Sequence, residues 1–413
     1  MNLPTRIPRP NLKLGRSLGR RPMADVIGLD IQPGFAAAVQ ARVNGSILAE
    51  RAAVLPLAAD TVRDGEVVDE GALADVLREL FAESGLSKRV RVGVANQRTV
   101  LRTLELPPVT DHKELAAAVT FQAQDQVPMP LNNAVLDFHP LGIVDTPAGP
   151  RQRVVLVAAQ RDMIERLLAA VRRAGLSPEG VDLSAFALIR SLYRPEPEQS
   201  GRVLYLNVDG LTNLAIAEGK ICRFTRVVGS GLEGMASELA ERRSIALTEA
   251  RALLAAVDLN SPPPAGPGAV AAREDLAAPD ESAAPVAEGE ESAPVAEAAE
   301  PVDPESFEVA SSAAPAPDAD VWNLLENGIR DISGEVRNSL DFHRSQEGGG
   351  EVSHVVLSGA AEEIPGFAES LQRALGVDVH SQSVGAVDER LDETVSLHRL
   401  AVAAGLATAE APQ

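Results

Sequence analysis

A pattern of three apolar segments joined by two polar turns occurs twice in this chain. The first copy comprises residues 26–31, the turn Gln32-Pro33-Gly34, residues 35–43, the turn Asn44-Gly45 and residues 46–54. The second comprises residues 202–208, the turn Asp209-Gly210, residues 211–217, a turn at Gly219 and residues 221–228. Asn-Gly between apolar runs favours a hairpin because both residues tolerate positive φ. Two such units about 175 residues apart predict a duplicated α/β fold with a cleft between its halves.

Segments with helical periodicity follow the strands. Asp111 and Glu114, three positions apart, resemble a capping box, and Gly175 is placed to end a helix. The apolar spacing of three and four residues continues along a single stretch after residue 320. The predicted helices cover residues 69–84, 111 toward Pro128, 162–174 and 321–342.

Residues 56–140 interrupt the first half. They contain the strand patterns RVRVGVA and LRTLELP and then the Asp111 helix, which predicts a small inserted α+β subdomain. The first half is therefore assigned to residues 24–55 and 141–200, and the second half to 201–260 and 321–413.

A low-complexity segment interrupts the second half. Residues 261–320 are rich in Pro, Ala and Glu and too poor in large apolar residues to fold, so a disordered acidic insert is expected. The whole chain has a net charge of −21, which argues against a nucleic-acid binder. The single cysteine, Cys222, excludes an internal disulfide and is most simply a small buried residue in a cytosolic protein. The six histidines are scattered, so a structural metal is not expected.

The first 23 residues form a basic tail without acidic side chains, and two interpretations remain open. In the first, the segment is a disordered tail or lies upstream of a true start at Met23. In the second, it is a weak tether to anionic lipid. It lacks the apolar core of a secretion signal, and no stretch approaches the roughly 20 apolar residues of a membrane span.

One motif imitates a dinucleotide site. Residues 229–234 read GSGLEG, but the strand before them closes a hairpin, and no strand ending in an acid follows about 20 residues later. The sequence also lacks a GxxxxGK[ST] loop and a GxSxG elbow, and nothing pairs with Cys222 as a base. No catalytic residue is therefore assigned.

From Met23 onward the chain resembles the PilM family of type IV pilus assembly proteins, relatives of FtsA and actin. The segments that carry the resemblance are VIGLDIQPGFAAAVQA, LPLAADTVRDGEVVDEGALADVL, RVGVANQRTVLRTLELPPVTDHKELAAAVTFQAQDQVPMPLNNAVLDFHPLG, VVLVAAQRDMIERLLAAVRRAGLSPEGVDLSAFAL, SGAAEEIPGFAESLQRALGVDV and HRLAVAAGLA. The resemblance implies duplicated actin-like (ribonuclease H-like) halves around a cleft, with an α+β subdomain inserted in the first half.

The resemblance also implies three loops around ATP and Mg²⁺. The implied nucleotide-binding residues are Asp30, Gln32 and Gly34 in the first loop, Asn207, Gly210 and Thr212 in the second, and Ser358, Gly359 and Ala360 in the third. Asp30 would hold a magnesium-bound water. Two loops depart from the family pattern, with Gln32, Pro33 and Ala37 in the first and Asn207 and Asp209 in the second. Pro33 removes an amide donor and Asp209 adds a negative charge near phosphate, so a degenerate site with weak or absent nucleotide binding is expected.

The function implied by the resemblance is a scaffold at the cytoplasmic face of the inner membrane. Such proteins bind the short cytoplasmic tail of the membrane protein PilN in a groove beside the inserted subdomain, which residues of about 90–140 should help to line, and they contact the pilus motor ATPases. Membrane association would then be peripheral, through partners. An active actin-like ATPase or a small-molecule kinase is the alternative. An FtsA-like division scaffold is disfavoured because the segment GLATAEAPQ lacks the character of an amphipathic membrane helix.

Overall fold

The computed structural model describes residues 26–147, 149–195, 201–261, 263, 318–346, 348–391 and 395–408. Its strands are β1 Ile27–Gln32, β2 Phe35–Asn44, β3 Ser46–Pro56, β4 Val62–Arg63, β5 Glu66–Val67, β6 Arg89–Val94, β7 Val100–Leu106, β8 Ala134–Thr146, β9 Gly149–Gln160, β10 Ser177–Leu183, β11 Arg202–Val208, β12 Thr212–Glu218, β13 Ile221–Val228, β14 Val352–Ser358, β15 Val379–Ser381 and β16 Gly385–Ala386. Its α-helices are α1 Glu70–Ser84, α2 His112–Gln126, α3 Arg161–Arg173, α4 Ser184–Leu192, α5 Leu232–Arg243, α6 Leu247–Ala255, α7 Ala319–Ser345, α8 Phe367–Leu375 and α9 Ala401–Leu406. Short 3₁₀ helices occupy Leu131–Asn133, Ala360–Glu363, Glu389–Leu391 and Leu397–Leu400.

Apart from the short strand β16, the two main sheets share one topology, as the repeated hairpins predicted. The first has the strand order β10-β6-β1-β2-β3-β16, and the second has the order β13-β12-β11-β14-β15. In each sheet, three antiparallel strands form a meander, and two further strands add in parallel beside the first strand of that meander. These are β6 and β10 in the first sheet and β14 and β15 in the second. Gly45 adopts φ +70° in the tight turn between β2 and β3, which explains the Asn-Gly signal there.

Helices cover the outer face of each sheet. α1 and α3 pack on the first sheet and α5–α8 on the second, each around a core of Leu, Ile, Val and Ala. α1 begins where Asp69 accepts the amides of Gly71 and Ala72, and α2 begins where Asp111 accepts those of Lys113 and Glu114. These side-chain caps satisfy amides that a helix leaves unpaired at its start, and they confirm the predicted helix starts.

The inner faces of both sheets share a middle layer made by α4 and α9. This layer depends on very close backbone contact. A Cβ atom added to Gly28 of β1 would lie 1.8 Å from the carbonyl oxygen of Ala403, and one added to Gly405 would lie 1.9 Å from that of Ala187. The C-terminal helix α9, assigned by sequence to the second half, therefore packs directly on the first sheet.

The inserted subdomain begins later and ends later than the sequence boundaries of 56 and 140. It consists of the small sheet β7-β9-β8 with α2 packed on one face. β6 pairs with β1 in the main sheet, and α1 packs on that sheet, so residues 56–94 belong largely to the first half. β9 pairs along its length with β7 and β8, which extends the insertion to Gln160.

Two predicted segments, the basic tail of residues 1–23 and nearly all of the acidic insert of residues 261–320, lie outside the described residues. In the part of the chain that is described, every helix is too short or too polar to cross a membrane. Cys222 is buried, with its Sγ donating to the carbonyl oxygen of Phe224 at 3.3 Å.

Candidate functional site

The three loops predicted to hold nucleotide meet between the halves, but their backbones touch one another. The turn after β1 contains Pro33 and Gly34, the turn after β11 contains Asp209 and Gly210, and the third loop follows β14. A Cβ atom on Gly210 would lie 2.0 Å from the carbonyl oxygen of Pro33. The two hairpin turns are therefore in direct contact where the resemblance places phosphate.

Asp209 joins the second loop to the third. Its Oδ1 accepts the amide N–H of Ala360 at 2.6 Å, and its Oδ2 accepts a hydrogen bond from Nδ2 of Asn207 at 2.6 Å. Burial raises the pKa of Asp209 to about 6, although these two hydrogen bonds and Arg399 oppose the increase. An internal carboxylate thus already accepts a hydrogen bond from an amide of the third loop that a phosphate would need.

Asp30 of β1 is buried beside the uncharged amide of Gln32. Nε2 of Gln32 donates to both of its carboxyl oxygens, at 3.2 and 3.3 Å. Ala37, which faces Asp30 across the hairpin, offers it no cation. Burial, and to a smaller extent the charge of Asp209, raise the pKa of Asp30 to about 7.

The other predicted site residues already have internal partners. The carbonyl of Gly34, whose φ is +98°, accepts the amide of Leu57, and the hydroxyl of Thr212 donates to the carbonyl of Ser230 at 2.6 Å. The hydroxyl of Ser358 and the amide of Gly359 both donate to the carbonyl of His398. These groups hold the loops together.

Sequence reasoning missed two ion pairs at the mouth of the cleft. Arg251 pairs with Glu233, and Arg399 pairs with both carboxyl oxygens of Glu363 at 2.6 and 2.7 Å while lying over the ring of Phe35. They come from α5, α6 and the elements around the third loop, and no motif marks them. Glu233 belongs to the GSGLEG run. The middle glycine of that run, Gly231, serves packing, since a Cβ atom there would lie 2.4 Å from the carbonyl oxygen of Gly210.

The cavity left between these groups is too small for the predicted cofactor. Its volume is about 130 Å³, whereas ligand pockets usually have about 300 to 1,000 Å³. Nor do the described residues contain a group of three His, Cys, Asp or Glu side chains that could hold a metal ion. The arrangement fits Mg-ATP poorly, because Asp209 already accepts the amide of Ala360 and the two hairpin turns are in contact with each other.

The buried carboxyl groups predict how stability depends on pH. A carboxyl whose pKa is higher in the folded state than in the unfolded state binds extra protons on folding, so its contribution to stability is lost as pH rises through the folded value. With the pKa of Asp30 at about 7, the free energy of unfolding should fall between pH 5 and pH 8. Asp30→Asn should reduce that fall by on the order of 2 kcal/mol.

Urea unfolding at pH 5 and pH 8 measures this difference. Asn has the shape of Asp and can still accept from Gln32, so the fold should be retained. Asp75→Asn, at an exposed ion-paired position of α1, is the control for the same chemical change at the surface. An Asp30→Asn protein with the wild-type pH dependence would contradict the assignment.

A second site is an open groove between the small sheet and the first half. It lies between β8, an edge strand of the small sheet, and β10, an edge strand of the first main sheet. Consecutive residues of each strand line it, Asp137 to His139 and Val181 to Leu183, as expected where a strand edge faces a cavity. Its volume is about 290 Å³, and its walls are mostly apolar.

The groove overlaps only part of the range that the sequence proposed. Val94 and residues of β8 fall within residues 90–140, whereas β7 and α2 do not line it. The other lining residues come from β9, α3, β10 and α4, including Val157, Ile164 and Phe186. Sequence reasoning missed these residues because they come from separate segments that only the folded structure brings together.

Comparisons with known proteins agree with this architecture. A family model described as "Type IV pilus assembly protein PilM" matches residues 28–242, just over half of the chain. The solved structure "PilM-PilN type IV pilus biogenesis complex" is 21% identical, with a TM-score of 0.66 and coverage of 94% of this chain and 98% of the other. That likeness shows a shared fold, and it agrees with the predicted actin-like halves and insertion.

More distant structures align along most of the chain. The ethanolamine utilization protein EutJ from Carboxydothermus hydrogenoformans is 13% identical, with coverage of 92% and 88% and a TM-score of 0.47. MreB 5 of Spiroplasma citri bound to AMPPNP is 10% identical, with coverage of 93% and 95% and a TM-score of 0.46.

Proposed function

This chain belongs to the PilM family of type IV pilus assembly proteins, and we propose that it acts there as a scaffold rather than an enzyme. Its partner would be a PilN-like inner-membrane protein, whose cytoplasmic N-terminal tail binds in the groove between β8 and β10. The solved structure that shares this fold at a TM-score of 0.66 is a complex of PilM with PilN. The protein would then lie at the cytoplasmic face of the inner membrane through its partner. Contacts with pilus motor ATPases would use other surfaces.

The observation that carries the proposal is the pair of strand edges flanking an apolar groove. Among the described residues, β8 and β10 each pair with another strand on one side only. An extended peptide can add to such an edge, where main-chain hydrogen bonds give affinity and side-chain pockets give specificity. Val135, Val157 and Phe186 offer apolar surface to alternate side chains of such a peptide.

Charge favours a cytoplasmic membrane-proximal tail. Asp137 is exposed at the groove, and the whole chain carries −21. Cytoplasmic segments next to a membrane span are enriched in Lys and Arg. A basic tail would therefore be attracted to this protein and would meet a carboxylate at the rim of the groove.

Val181→Arg tests the groove. Val181 is 38% exposed on β10, so a longer side chain can be tolerated without disturbing the core, yet it would project a charge into the apolar groove. We expect a synthetic PilN-like tail peptide to bind the wild-type chain without nucleotide, and Val181→Arg to weaken binding at least about tenfold. Fluorescence anisotropy with a labelled peptide measures the change.

Val43→Arg is the matched control, because Val43 is also an exposed strand valine, 51% exposed at the end of β2, and does not line the groove. It should bind the peptide as the wild type does. Equal weakening by both variants, or no effect of Val181→Arg, would place the tail elsewhere.

A further inference from the structure

A third cavity, separate from the cleft and the groove, lies between the small sheet and the second half. Its volume is about 480 Å³. One side is formed by Leu101, Arg102, Thr103 and Glu105 of β7 and by Arg153 of β9. The other is formed by the start of β11, residues 223–225 of β13 and the end of α7. An occupant would touch both the inserted subdomain and the second half.

Positive charge dominates the lining. The cavity holds four arginines and two glutamates, which leaves an excess of two positive charges. The glutamates are already engaged, Glu105 with Arg153 at 2.9 Å and Glu218 with Arg223 at 3.1 Å. Nη1 of Arg102 donates a hydrogen bond to the neighbouring carbonyl of Leu101. Arg102 has no ion-pair partner among the described residues.

Buried polar atoms in the same lining lack partners. His343 is 3% exposed, and among the described residues neither ring nitrogen has a hydrogen-bond partner. Nε of Arg202 also lacks a hydrogen-bond partner among the described residues, although Nη2 of Arg202 donates to the carbonyl of Gly348 at 2.6 Å. Burial lowers the pKa of His343, and Arg202 and Arg223 lower it further. Buried polar groups normally have hydrogen-bond partners, so this cluster calls for an acceptor that would satisfy both the ring and the guanidinium.

We propose that this cavity, between β7 and the end of α7, binds a small organic phosphate. Guanidinium groups match phosphate oxygens in a planar, two-point arrangement. A phosphate monoester carries about −1.5 to −2 charges at pH 7, which balances the excess of the lining. The volume exceeds that of phosphate alone, and Leu101 and Phe224 supply an apolar wall for the organic part.

Calorimetry of the full chain at pH 7, without Mg²⁺, tests the proposal with inorganic phosphate, AMP and adenosine as probes. We expect phosphate and AMP to bind and adenosine not to bind. Arg223→Gln and Arg102→Gln should each weaken AMP binding at least about tenfold, the scale for losing a charged hydrogen bond. Arg226→Gln is the matched control on β13, since Arg226 pairs with Glu335 at 2.7 Å and does not line the cavity.

A second readout is the titration of histidine ring signals by nuclear magnetic resonance. Phosphate should raise the pKa of one histidine in the wild type, and that signal should be missing in His343→Asn. Absence of binding by both phosphates, or equal weakening by Arg223→Gln and Arg226→Gln, would overturn the proposal. Tight binding of adenosine alone would overturn it as well.

Discussion

Mg-ATP is expected to bind this protein with a dissociation constant weaker than about 100 μM, and without measurable hydrolysis. The amide of Ala360 already donates to Asp209, and the turn at Pro33 is in contact with Gly210. A phosphate group would have to displace the hydrogen bond between Ala360 and Asp209 and separate the turn at Pro33 from Gly210. Each lost charged hydrogen bond costs about 1 to 3 kcal/mol. A micromolar site has only about −8 kcal/mol in total, so two or three such losses move it toward millimolar affinity.

Calorimetry with Mg-ATP and a steady-state phosphate-release assay measure these two quantities. A dissociation constant in the low micromolar range would show that the loops open readily and that the cleft is a working site. Phosphate release that Asp30→Ala abolishes would restore the alternative of an active actin-like ATPase. Binding of the tail peptide should be the same with and without Mg-ATP.

Gly28→Ala is expected to destabilise the protein by at least about 3 kcal/mol. The added methyl group would lie 1.8 Å from the carbonyl oxygen of Ala403, a backbone atom that cannot rotate away. Either α9 moves off β1 or β1 distorts, and both disturb the middle layer that serves both sheets. Overpacking a core usually costs about 1 to 3 kcal/mol, and more when backbone must shift.

Gly234→Ala is the control for the same chemical change. Gly234 lies in α5, and a Cβ atom there meets no other atom within 4 Å. Because alanine favours a helix over glycine, this variant should be as stable as the wild type or about 0.5 to 1 kcal/mol more stable. Urea unfolding of both variants gives the comparison. A Gly28→Ala protein of wild-type stability would mean that α9 does not pack on β1 as described.

Local chemistry made much of the fold predictable. The hairpins at Asn44-Gly45 and after Val208 follow from turn residues and apolar alternation, and the starts of α1 and α2 follow from Asp69 and Asp111. Each of these features is decided by residues within a few positions of one another. The repetition of the pattern was then enough to predict two sheets of one topology.

Long-range pairing was harder to predict. The strand RVRVGV could join either the main sheet or an inserted sheet, and only its parallel pairing with β1 assigns it to the first. α9 is short and uniformly apolar, a pattern that does not identify the sheet it covers. At the cleft, the sequence identified Gln32, Asn207 and Asp209 as departures from the family pattern. The ion pairs of Arg251 and Arg399 depend on contacts across the chain and had no local signal.

The middle layer has a consequence for how the protein is made. A ribosome releases most strands of both sheets well before residues 401–406, which complete the surface those sheets share. Until then the inner faces of β1 and β2, which include Gly28, Ala37 and Val39, have no helix α9 to cover them. The nascent chain should therefore remain a client of chaperones until α9 has emerged, and only then should both halves close around it.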